Sequence, residues 1–97
     1  MTAFWIATYN SNLEIMKLLR TFGANPKIEN QNGEDPLYVA AKLGFLEGVR
    51  YLTDIGVMID RLSPKSNCTP LGIAAFSGYL NIVKYLQNKG ASLTKCG

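Results

Sequence analysis

The sequence predicts an all-α fold, a solenoid of three stacked helix-turn-helix units, and three observations predict it. The chain repeats itself: Asp35-Pro36-Leu37-Tyr38-Val39-Ala40-Ala41 lies over Thr69-Pro70-Leu71-Gly72-Ile73-Ala74-Ala75 at a shift of 34 and over Thr2-Ala3-Phe4-Trp5-Ile6-Ala7-Thr8 at a shift of 33. Glycines keep step, with Gly23, Gly56 and Gly90 separated by the same 33 and 34. Apolar residues keep step too, as Leu13-Met16-Leu19, Leu46-Val49-Leu52 and Leu80-Val83-Leu86. A fixed period of this length marks units that cannot bury their apolar faces alone and so cover one another.

Within each unit the first helix is bounded by its own punctuation. Asp35 and Thr69 are N-cap residues, and Pro36 and Pro70 stand at the first helical position, where the missing N–H costs nothing. Gly44 and Gly78 fall where such a helix must stop in a left-handed conformation. The second helix begins near Leu46 or Leu80, carries apolar residues three apart, and ends at Gly56 or Gly90. The pairs Ala40-Ala41 and Ala74-Ala75 are small enough for neighbouring units to approach closely. Gly48 stands where the other units carry Ile15 and Ile82. It costs its helix roughly 1 kcal/mol relative to alanine and predicts a groove, to be filled by Tyr51 or by a partner.

These units resemble ankyrin repeats. That family's T-P-L-H-x-A-A signature, a following glycine and a hydrophobic second helix closing in G-A-D/N are matched best by Thr69 to Ser92, and Gly23-Ala24-Asn25 and Gly90-Ala91-Ser92 resemble the closing motif. The likeness runs through nearly the whole chain, as repeats of about 1–29, 30–62 and 63–97. It implies projecting β-hairpin fingers at Asn30–Glu34 and Pro64–Cys68, with Asn32-Gly33 as a tight turn at the first tip. One extra residue between Asp60 and Lys65 should lengthen the second finger. The family's histidine is missing from all three units, replaced by Trp5, Tyr38 and Gly72. The first unit opens without a finger and the last stops where another would begin, as expected of a cut from a longer array or of a miniature with covered ends.

Composition bounds the rest. At 97 residues and 47% hydrophobic, with no Pro, Gly or Ser run, the chain is expected to form a single ordered domain over 1–97. Charges such as Glu14, Lys42, Asp54 and Lys84 interrupt every apolar stretch, and no leader pattern opens the chain, so no membrane insertion and an intracellular, cytoplasmic or nuclear setting are expected. Cys68 and Cys96 lie far apart without CxxC spacing and are read as reduced thiols. Through Asp60 there are five basic against seven acidic residues; beyond it come Arg61, Lys65, Lys84, Lys89 and Lys95 with no acid. The basic third is either a solvated face or the seat of an acidic partner surface.

The absence of histidine removes the commonest general base and metal ligand, and Glu34-Asp35 reads as a finger-tip charge beside an N-cap. Phosphate-cradling glycine loops are missing too, so no enzyme activity, metal or cofactor is expected. Five cations spread over the last third without aromatic interleaving do not make a nucleic-acid motif. The resemblance implies instead a protein-interaction module whose partner docks on a concave face made by the first helices and finger tips. By position that face presents Tyr9, Asn10, Lys42, Leu43, Phe76 and Ser77, rimmed by Gln31, Asn32, Glu34, Lys65 and Ser66. Aromatic anchors at such positions contribute disproportionately to binding. The alternative is a structural subunit, or part of a longer array, held within a larger assembly.

Overall fold

The computed structural model describes residues 3–65 and 67–91, which hold six helices in three antiparallel pairs. These are α1 (Ala3–Tyr9) with α2 (Leu13–Thr21), α3 (Pro36–Leu43) with α4 (Leu46–Asp54), and α5 (Pro70–Ser77) with α6 (Leu80–Asn88). The first helices α1, α3 and α5 pack side by side, α4 packs on α6, and the stack measures about 35 × 25 × 20 Å.

The expected punctuation is where the helices start and stop. The Asp35 carboxylate accepts from Tyr38 N at 2.9 Å and the Thr69 hydroxyl from Gly72 N at 3.1 Å, each satisfying an N–H that α3 or α5 cannot. Gly44 and Gly78 close these helices in the left-handed region at φ 78° and 86°. The chain then reverses at once, through Phe45 N to Ala40 O and Tyr79 N to Ala74 O, both 2.9 Å. Phe45 and Tyr79 occupy the N-cap positions of α4 and α6 without a side-chain bond, whereas Asn12 caps α2 through Ile15 N at 3.2 Å. The second helices end alike: Ala24 N, Val57 N and Ala91 N return to Leu19 O, Leu52 O and Leu86 O at 3.0, 3.0 and 2.9 Å.

The core runs along the stack rather than lying at a centre. Phe4, Met16, Leu37, Leu52, Leu71, Ile82 and Leu86 are fully buried, and Ala40, Ala41 and Ala74 lie among them, the small side chains that let the first helices approach. On the opposite surface Lys17 lies 5.9 Å above the Tyr51 ring and Arg50 5.9 Å above the Tyr85 ring, each cation reaching into the next unit. The Thr53 and Tyr85 hydroxyls add a 2.9 Å hydrogen bond across the second junction.

Three expectations change. Space beside Gly48 is taken by neither Tyr51 nor an open groove: a Cβ there would meet the Phe45 ring at 2.5 Å. The N-cap position that gave up a polar side chain supplies this aromatic, and Gly48 makes room for it. The fingers are turns too short to form strands among the described residues. The first closes through Asn30 N to Glu34 O at 2.8 Å, and the second through Ser63 N to Cys68 O at 2.9 Å, so the second turn is the longer by one residue, as the extra residue implies. Finally, Cys68, buried at the base of that finger, is disulfide-bonded, which overturns its reading as a reduced thiol; Cys96 lies outside the described residues.

Candidate functional site

Repeat geometry brings Tyr9, Lys42 and Phe76 into one column, because they occupy the same place on α1, α3 and α5. Phe76 is 81% and Tyr9 55% exposed, and Lys42 is exposed with its ammonium 3.3 Å from Glu34 Oε2. The adjoining positions are less uniform: Asn10 and Ser77 are exposed and Leu43 is half-buried. Solvent exposure of a large aromatic at the same position in two units is not explained by packing within the chain, and it is what a recognition surface uses.

The fingers make a continuous rim beside this column. In the first, the Asn30 side chain accepts from Asn32 N at 2.8 Å and Glu34 N at 3.0 Å and donates to Glu34 Oε1 at 2.9 Å, fixing the loop that exposes Gln31 and Asn32. The second finger is tied to the first. Lys65 Nζ donates to Asn32 Oδ1 at 3.3 Å, and Arg61 Nη1 donates to Gly33 O at 2.9 Å while its guanidinium also pairs with Glu29. Pro64 closes the contact, its ring lying where a Gly33 side chain would stand. Of the rim residues read from the sequence, Glu34 is mostly buried and serves to hold Asn30 and Lys42, and Ser66 lies outside the described residues.

One residue of this surface escaped the sequence reading. Trp5 stacks on Tyr9 with ring centroids 5.2 Å apart and planes at 21°, and with Asn30, Gln31 and Asn32 it borders a cavity of about 90 Å³. The signal was present, since Trp5 and Tyr9 are four apart on a helix and must share a face. Tyr38, at the position equivalent to Trp5, is buried instead.

The surface carries a small cavity beside Trp5. That cavity is well below the roughly 300–1,000 Å³ of a typical small-molecule site. Among the described residues no three or more His, Cys, Asp or Glu side chains come together to hold a metal, and no helix is long and apolar enough to cross a membrane. Asp35 does not pair with Glu34 for proton transfer but caps α3. Burial raises its pKa above the ordinary 3.8, while the hydrogen bond from Tyr38 N and the charge of Arg61 pull it down. Between the ordinary and raised values the folded chain holds a proton that the unfolded chain has released. This residue's contribution to stability is therefore full below that window and is lost as pH rises through it. Asp35→Asn keeps the cap and removes the buried charge, so it is expected to match or exceed the parent in urea unfolding at neutral pH, with the difference closing in acid. Asp35→Ala is expected to lose about 0.5–2 kcal/mol with the cap.

The six helices in three pairs, the capped and glycine-closed first helices of the second and third pairs, and the finger turns between pairs recur at a period of 33 or 34 through the described residues. Comparison with curated proteins returns no significant match. The family model for ankyrin repeats in three copies matches residues 4–95, and the chain therefore belongs to the ankyrin repeat family.

Proposed function

We propose that this chain is a non-catalytic recognition module that grips a partner protein across its concave face. Ankyrin repeats in general are protein-interaction modules. The observation that carries the finer reading is the solvent-exposed column Tyr9, Lys42 and Phe76, flanked by Asn10, Leu43 and Ser77 and rimmed by Gln31, Asn32 and Lys65. Tyr9 and Phe76 are the anchors, Trp5 stiffens the first of them, and the tethered fingers hold the rim in place before binding, which reduces the ordering cost of association. Beyond Asp60, Arg61 is engaged with Glu29, and Lys65, on the finger rim, favours a partner with acidic groups at that end.

Affinity capture comparing the intact chain with a Tyr9→Ser, Phe76→Ser variant of matching melting temperature tests the reading. A stoichiometric protein retained by the intact chain and lost by the variant is the expected result. Retention of the same protein by both rejects the concave face. The second reading, a unit held inside a larger assembly, is favoured by the apolar ends of the stack, where Ile6 and Ile15 lie exposed at one end and Ala75 and Leu80 at the other.

A further inference from the structure

The two ends of the stack are the two halves of an interface that the chain already makes twice. On the side facing a preceding unit, Val39, Gly48 and Leu52 of the middle pair are buried, as are Ile73, Ile82 and Leu86 of the last. Their equivalents in the first pair, Ile6 and Ile15, are 44% and 45% exposed, and Leu19 is only partly covered. A cavity of about 270 Å³ opens there, lined by Ile6, Ala7, Ile15 and Leu19 among others. On the side facing a following unit the pattern reverses. Thr8 and Ala41 are fully buried but Ala75 is exposed; Met16 and Val49 are fully buried but Val83 is only half-buried. A Cβ on Gly44 would strike the Tyr79 ring at 2.5 Å, whereas one on Gly78 would meet nothing within 4 Å.

We infer that the exposed face of α1 and α2 receives the exposed face of α5 and α6 from a second copy of this chain, head to tail. The occupant follows from the internal junctions: in both, buried aliphatic residues stand on the leading face and a buried small residue with a Met or Val on the trailing face, and each end of the described stack carries one of these two sets. Neither set is complementary to itself, so the contact is heterologous and can propagate beyond a dimer. It is weaker than the internal junctions. Leu18 stands where Tyr51 and Tyr85 receive Lys17 and Arg50, so the contact between copies lacks that cation–π pair, and Asn12 replaces the aromatic that covers Gly44. Assembly is accordingly concentration-dependent.

Sedimentation equilibrium of the 97-residue chain from micromolar to millimolar concentration tests this, with Ile15→Lys blocking the leading face and Ala75→Arg the trailing one. Both positions are exposed, and melting temperatures equal to the parent's establish that each variant folds. The parent's mean mass is expected to climb past that of a dimer as concentration rises. Each variant alone should remain monomeric, and an equimolar mixture should stop at a dimer containing one chain of each, because every such pair keeps one intact leading and one intact trailing face. A parent that stays monomeric to millimolar concentration overturns the inference and leaves the ends to a different protein or to further repeats. Variants that assemble like the parent, or a mixture that stays monomeric, overturn it equally.

Discussion

Replacing Leu52 by alanine is expected to lower the stability of the whole stack by about 2–5 kcal/mol, and to do so more than the same change at Leu19. Leu19, Leu52 and Leu86 hold one position in successive units, so the chemistry removed is identical. Their surroundings are not: Leu52 and Leu86 are completely buried while Leu19, in the first described pair, is partly open. A cavity opened under Leu52 also lies in the one unit that both junctions share, and stability in a stack is a sum of unit and neighbour terms. For a domain near this size each kcal/mol moves Tm by roughly 4–8 °C, so thermal unfolding should place Leu52→Ala at least about 8 °C below the parent. Leu19→Ala should fall between the two. Equal losses at all three positions would show that burial between units is not what holds the chain together.

Gly44→Ala is expected to cost more than Gly78→Ala, although both glycines close a first helix with nearly the same φ, 78° and 86°. A side chain in the left-handed region costs roughly 1–2 kcal/mol, and that penalty is common to both. At Gly44 the new Cβ would also come within 2.5–2.9 Å of the Tyr79 ring, which must leave the glycine it covers; at Gly78 there is open space. Denaturant unfolding of both variants in the parent and in a Tyr79→Ala background separates the terms. The excess cost at Gly44 should disappear once the ring is gone, while the cost at Gly78 should stay. An excess that survives removal of Tyr79 would place its origin in the backbone.

The sequence announced the stack because its period is written in residues with narrow structural meaning. Caps at Asp35 and Thr69, prolines after them and glycines at Gly44, Gly78, Gly56 and Gly90 each permit few backbone conformations, so boundaries could be read without knowing what packs on what. Features that depend on packing were less legible. Gly48 was visible as a missing aliphatic residue, but nothing in the local pattern says that the ring of Phe45, three residues earlier, turns into the space; Tyr51 was the equally plausible neighbour. Glu34 looked like a finger-tip charge because it follows a glycine turn, yet its carboxylate is drawn inward by Asn30 and Lys42. Fingers were expected as hairpins because the ankyrin resemblance implies them, with Asn32-Gly33 at the first tip, but Asn30 satisfies the loop with its own side chain and leaves no ladder to extend. The column Tyr9, Lys42 and Phe76 came instead from the resemblance, carried over by repeat position, and the structure shows these three residues exposed.

The most direct test of the concave reading is photo-crosslinking to the captured partner from single sites on opposite faces. A photoreactive residue is placed in turn at Tyr9, Lys42 and Phe76 on the first helices and at Glu14, Glu47 and Lys84 on the second, all of them exposed. The account predicts adducts to one partner from the first three sites and none from the others. Adducts confined to Glu14, Glu47 and Lys84 would contradict it and move recognition to the opposite side of the stack.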